Sequence, residues 1–264
     1  MTTAGFRPKL STRIAKPWSK PAFLVPVLIG GAWLVAVIAQ ATGEAGLLHH
    51  HALIEGGSPL WLALPLSLVG WQVMVAAMML PASLPTVRAL GERVALVPER
   101  GFVRRFLGAF ALVWSAFGLA AFLGDDVLHH VVDATPWLGA HPWLIEAGIL
   151  ALAGAYQLSP LKRRNLAACR HAPVDAAEGA TRAGAGRQGA ARLGVHHALV
   201  CLGSSWALML LMFAEGFANL WWMVALTAVM VYEATGPHGQ RVAAAVGALL
   251  LLFALLVGAG LGGA

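Results

Sequence analysis

Seven stretches of roughly twenty residues each, at about 22–41, 60–82, 106–124, 142–158, 195–214, 218–234 and 242–261, consist almost entirely of apolar side chains. As a helix, each is long enough to cross the ~30 Å hydrocarbon layer of a bilayer. Barrel strands would alternate apolar and polar residues over about ten positions, and no segment does so. The sequence therefore reads as all-α: a polytopic transmembrane helical bundle of about seven spans in a lipid bilayer. Composition supports this, since 59% of the 264 residues are hydrophobic, only 11% are charged and the mean hydropathy is +0.73. Soluble domains carry about twice that charged fraction.

Charge orients the bundle. The formal net charge is +6, but basic residues in a multi-pass protein report sidedness before they report a polyanion, so no nucleic acid is expected as a partner. Residues 1–21 form a basic tail holding Arg7, Lys9, Arg13, Lys16 and Lys20 without an acid. With this tail cytoplasmic, residues 22–261 form a single transmembrane domain, N-terminus inside and C-terminus outside, in a bacterial inner membrane. All 18 Lys and Arg then fall on the inner side, while His49, His50, His51, His129, His130 and His141 fall in outer loops. A flexible basic loop is expected over 159–193, where 172–191 is rich in Ala, Gly and Arg. The tail, the first apolar run and Ala39-Gln40-Ala41 also have the layout of a secretory signal. The run exceeds the ~7–15 residues of a signal core, so it is expected to remain as a span.

Unusual chemistry concentrates in residues 194–223. Successive helical residues turn by about 100°, so His197, Cys201, Ser205, Met209, Met212 and Glu215 share one broad face. His197 and Cys201 form an i,i+4 pair, and Met74 and Met78 form another in the second span. Thiolate and thioether are soft ligands that favour Cu(I), and imidazole suits copper or zinc. The same residue types also serve plain packing, because Met fills irregular gaps and free Cys is commonly buried. Two cysteines, Cys169 and Cys201, build no disulfide framework and read as free thiols. Glu215 and Glu233 lie near span ends, where a carboxylate reaches the interface at low cost. The outer histidines, with Asp125, Asp126, Glu44 and Glu55, could collect a metal ion, although neighbours in one loop point in different directions. Gly203-Ser204-Ser205 beside His196 and His197 lacks an acid to orient a catalytic base, and no phosphate loop, dinucleotide fingerprint or H-E-x-x-H motif occurs. The chain is not expected to be an enzyme.

Several motifs occur together: W-Q-V-M-V-A-A-M-M-L-P at 71–81, Y-Q-L-S-P-L-K-R at 156–163, Cys169-Arg170, C-L-G-S-S-W-A-L-M at 201–209, and N-L-W-W-M-V-A-L-T-A-V-M-V-Y-E-A-T-G-P-H-G at 219–239. Over most of residues 60–255 the chain closely resembles the bacterial family of predicted metal-binding integral membrane proteins. That domain of unknown function includes a copper chaperone serving a tyrosinase-type polyphenol oxidase. The resemblance implies metal ligands among Met74, Met78, Cys169, Cys201, Met209 and Met212. Members commonly carry cysteines where this chain has Ser204, Ser205 and Asn165, and a hydroxyl is a poor substitute for a thiolate toward a soft metal. The leading expectation is a protein that binds copper as Cu(I) and hands it to a cuproenzyme or a soluble metal carrier. Its candidate ligands are His197, Cys201, Met209, Met212, Met74, Met78 and Cys169. A metal-free structural or assembly subunit and a small-solute transporter remain alternatives, the latter without an internal repeat to support it.

Overall fold

The computed structural model describes residues 20–42, 60–94, 101–182, 187–215 and 219–260, and every element among them is helical. In chain order these are α1 (Lys20–Thr42), α2 (Leu60–Val94), α3 (Phe102–Ala134), the single turn α4 (Pro136–Gly139), α5 (Trp143–Leu158), α6 (Pro160–Arg182), α7 (Arg187–Glu215), α8 (Leu220–Thr235) and α9 (Gly239–Gly258). By length and composition five can cross a bilayer: α1, α2, α3, α7 and α9. The fourth expected span is one limb of a bent pair, α5 and the first part of α6, which meet at 62°. The sixth, α8, has 16 residues and rises only ~24 Å. Length and composition thus support five spans directly, or six with the bent pair counted as one.

Local sequence explains the breaks. Pro160 disfavours helical backbone at the residue before it, and Ser159 is extended (φ −68°, ψ 149°). Pro160 then opens α6, and Ser159 Oγ caps it by accepting from the Lys162 backbone N–H at 3.1 Å. Asn219 caps α8 in the same way, accepting from the Trp222 N–H at 3.2 Å. Within α2, Pro81 has no N–H for the Ala77 carbonyl one turn earlier. The Trp33 indole fills that vacancy at 3.1 Å and ties α1 to α2.

The expectation of a flexible basic loop over residues 159–193 does not hold for the described residues: 160–182 are the helix α6, and α7 begins at Arg187. The Ser-Pro start and cap nucleate α6, and its first turns pack into the bundle, with Lys162 and Leu166 only 1% and 2% exposed.

The interior is built on α2, α3 and α7. Phe102, Phe106, Phe110 and Trp114 recur every fourth residue along one buried stripe of α3, and α7 packs extensively against α3. Met74, Met78, Met209 and Met212 are fully buried in the same core. Trp71 Nε1 donates to the Trp114 carbonyl at 2.7 Å, and Gln72 Nε2 to Ser115 Oγ at 2.8 Å, joining α2 to α3. At the α5–α9 crossing Gly154 and Gly247 let the backbones touch, since a Cβ on either would lie 2.9 Å from the other's carbonyl oxygen. The outer surface is apolar instead: only 17% of the apolar window of α1 and 28% of that of α9 is buried inside the bundle. Leu34, Ile38, Leu112, Val127 and Leu255 are all exposed, an arrangement compatible with lipid around the bundle and costly in water.

Candidate metal centre

Four helices converge on a small internal cavity of about 20 Å³ lined by Met79, Cys169, His197, Cys201, Met230 and Glu233, among others. That volume admits about one water-sized particle or one ion. α2 supplies Met79 and Ser83, α6 supplies Cys169, α7 supplies His197, Cys201, Ser204 and Ser205, and α8 supplies Met230 and Glu233. Cys201 Sγ lies 4.0 Å from Met79 Sδ across the α2–α7 gap. Two sulfurs at that separation can share one ion when metal–sulfur bonds are about 2.3 Å, the length typical of zinc.

The surroundings hold the thiols in place, Cys169 Sγ also lying 3.6 Å from the Val200 carbonyl to which it donates. Ser204 Oγ donates to the Cys201 carbonyl at 2.8 Å and sits 3.3 Å from Cys169 Sγ. Ser205 Oγ lies 2.7 Å from the same carbonyl and 3.3 Å from Met79 Sδ. His197 is clamped between the rings of Phe106 and Phe110, with centroids 5.5 and 5.8 Å away. Its Nε2 meets Ser83 Oγ at 3.0 Å, while its buried Nδ1 has no partner. A buried imidazole nitrogen left unpaired has lost its hydration without compensation, a state that a ligand would relieve.

A charged pair closes one side. Lys162 Nζ and Glu233 Oε2 are 2.6 Å apart with each side chain 1% exposed. Gln157 Nε2 donates to Glu233 Oε1 at 2.8 Å, and Lys162 also donates to the Ser204 carbonyl. The next carbonyl back, that of Gly203, accepts from Asn165 Nδ2 at 2.9 Å and from the Tyr156 hydroxyl. These bonds fix α5, α6 and α8 against the segment of α7 that carries Cys201. Gly203 leaves room for the Asn165 amide, since a Cβ there would lie 2.5 Å from Asn165 Nδ2 and displace it.

Of the residues expected as ligands, the structure gathers His197, Cys201 and Cys169 at the cavity and leaves Met74, Met78, Met209 and Met212 outside it, packed in the core. Met209 stands eight residues beyond Cys201, a rise of ~12 Å that no single coordination sphere spans. Met79 and Met230 take the place of those methionines at the cavity. Met79 is the immediate neighbour of Met78, about 100° round the helix, and only the packing of α2 shows which of the two faces α7. Lys162 and Glu233 stand at this cavity's edge as well, one from the segment expected as a basic loop and the other expected as an interfacial carboxylate. The Ser-Pro start is the sequence signal for Lys162, since it places that residue in the first turn of a helix. Asn165, Ser204 and Ser205 all stand at or beside this cavity.

Of the histidines expected in outer loops, His129 and His130 lie away from the cavity on α3. His129 Nδ1 is 3.4 Å from Asp125 Oδ2, and His130 Nε2 is 4.0 Å from Asp126 Oδ2, as separate i,i+4 pairs along α3. His49, His50 and His51 are outside the described residues. Among the described residues no three His, Cys, Asp or Glu side chains stand together in position to hold a metal. That includes His197, Cys169, Cys201 and Glu233, so these side chains line one cavity without forming a closed metal cluster.

Fold and cavity together define a class: among the described residues, an all-α protein with an apolar exterior and a small internal cavity lined by sulfur-bearing side chains. The family model of the PpoB2 copper chaperones matches residues 68–257, a range that contains α2's cavity-facing half and every other cavity-lining segment. The chain belongs to this copper-chaperone family, and its role is in copper handling. No curated protein and no solved structure matches the chain.

Proposed function

We propose that the chain is a multi-pass membrane protein of the bacterial inner membrane that holds Cu(I) as cargo and passes it to a copper-using partner, without making or breaking bonds in an organic substrate. The observation that carries this reading is the meeting of Cys201 and Met79, 4.0 Å apart, in a cavity that also touches Cys169, Met230 and His197 with its unpaired Nδ1. This donor set is soft and of low charge, which suits Cu(I) better than zinc or a hard cation. The apolar exterior and the family membership support the membrane setting and the cargo. Handover by ligand exchange within such a site requires no catalytic base, in keeping with a chaperone.

The test is Cu(I) titration of detergent-purified protein against a chromogenic chelator. Wild type should bind near one equivalent, the double variant Cys201→Ala with Met79→Leu should lose it, and Met209→Leu should bind as wild type does. Equal binding by the Cys201/Met79 variant would remove the proposed site.

A further inference from the structure

Two cavities meet at Cys169. Beside the sulfur-lined cavity lies a larger one of about 310 Å³, whose walls include Thr86, Arg170, Pro173, Thr235, Gly236 and Pro237. The two share Ala82, Cys169 and Ala234. Thr235 and Pro237 are exposed, so the larger cavity is a vestibule opening where α8 turns into α9. Cys201 is 4% exposed and lines only the inner cavity, whereas Cys169 is half-buried and lines both.

Arg170, next in sequence, forms part of the vestibule wall. Its terminal nitrogen donates to the carbonyls of Glu233 and Gly236, and its buried Nε has no partner. A guanidinium whose buried Nε–H is unpaired, beside a thiol, is suited to an anionic group. The vestibule has the volume of a small-molecule pocket and is too small to admit a folded domain.

An ion held in the inner cavity cannot leave bare, because desolvating a free cation in apolar surroundings costs many kcal/mol. It has to travel by exchange, a new sulfur binding before the old one lets go. We propose that Cys169 is the transfer ligand and that the vestibule is the port at which a small thiol bearing a carboxylate, carrying Cu(I), docks on Arg170. This inference rests on the reading of the inner cavity as the cargo site. In the first exchange the Cu–S bond to the carrier breaks as the Cu–S bond to Cys169 forms, and the Cys169 thiol proton ends on the carrier's sulfur. In the second, the ion passes to Cys201 and Met79, and the Cys201 proton returns to Cys169. Copper stays in the +1 state throughout, so no oxidant or reductant is consumed.

The experiment uses the full chain in detergent and offers Cu(I) either as its glutathione complex or as its 2-mercaptoethanol complex, which lacks the carboxylates. A charged maleimide should label Cys169 in the folded wild type and Cys201 only after unfolding. Cys169→Ser should load with Cu(I) about tenfold more slowly or worse, the order expected when a positioned group is removed. Arg170→Gln should slow loading from the glutathione complex by about tenfold, as for a lost charge-assisted hydrogen bond, and leave loading from the mercaptoethanol complex unchanged. Should Cys169→Ser fail to fold, wild type alkylated at Cys169 serves as its substitute. Loading of the Cys169 variant at the wild-type rate, its complete loss of equilibrium binding, or equal labelling of both thiols would each overturn the port. Arg170→Gln slowing both complexes alike would overturn the anionic carrier. Absence of Cu(I) binding by wild type defeats the cargo-site reading itself, whereas normal binding with unaltered kinetics in the variants defeats only the port.

Discussion

At the residue scale, the Lys162–Glu233 pair is the most consequential interaction that is not itself sulfur chemistry. Two charges at 1% exposure are tolerated because each has further partners, Gln157 for the carboxylate and the Ser204 carbonyl for the ammonium. Removing one charge strands the other, so Glu233→Gln should destabilise the protein by about 3–5 kcal/mol. Thermal denaturation in detergent measures this, and the double change Lys162→Met with Glu233→Leu should cost clearly less than Glu233→Gln alone. The hydroxyls at Ser204 and Ser205 occupy positions where a thiol would touch the cavity. Ser205 Oγ is 3.3 Å from Met79 Sδ, so Ser205→Cys places a second thiol beside the Cys201–Met79 pair. It should tighten Cu(I) binding in chelator competition; weaker or unchanged affinity would show that the cavity does not hold the ion as described.

At the element scale, the cavity exists because α6 is a helix that turns back into the bundle and because α7 admits it closely. The Ser159–Pro160 break and the cap on Lys162 set the direction of α6, and Gly203 sets its distance from α7. Gly203→Val should force Asn165 away, break its bond to the Gly203 carbonyl and cost about 1–3 kcal/mol by overpacking. Cu(I) affinity should fall in the same variant, because Cys169 moves with α6. The α1–α2 contact offers a separate check: Trp33→Phe leaves the Ala77 carbonyl without the donor that Pro81 cannot supply. A loss of about 1–3 kcal/mol with unchanged copper binding is expected, since an unsatisfied buried acceptor costs that much and lies away from the cavity.

At the scale of the whole molecule, helices from four parts of the chain close around one ion-sized space, so occupancy and folding are linked. A ligand that binds only the folded state stabilises it by about 2.7 kcal/mol at a free concentration 100 times its Kd. Adding Cu(I) should therefore raise the melting temperature of wild type and leave that of Cys201→Ala with Met79→Leu where it was. The apolar outer surface and the short, bent elements make sidedness a whole-molecule property too. If the inner-face basic segments orient the bundle, reporters fused after Arg182 and after Arg241 should both respond from the cytoplasmic side. Opposite responses would mean that α7 and α8 do not both cross.

The sequence alone determined that the chain is helical and apolar, because runs of about twenty lipophilic residues leave the backbone no other way to satisfy its hydrogen bonds in a bilayer. Local rules also made the Ser159–Pro160 break and the Asn219 cap legible, since each depends only on neighbours in the chain. That His197, Cys201 and Cys169 are side chains able to bind a soft metal could be read from residue type, and the structure places all three on one cavity. Which sulfurs meet could not be read that way. A helical period fixes the angle between Met78 and Met79 but not the direction in which either points, and that direction is set by helices far away in sequence. Tertiary packing therefore chose Met79 and Met230 over Met74, Met78, Met209 and Met212. It also turned an expected basic loop into α6, the helix that brings Cys169 and Lys162 to the cavity, because burial against α7 and α8 rewards a helix that its polar composition alone does not specify.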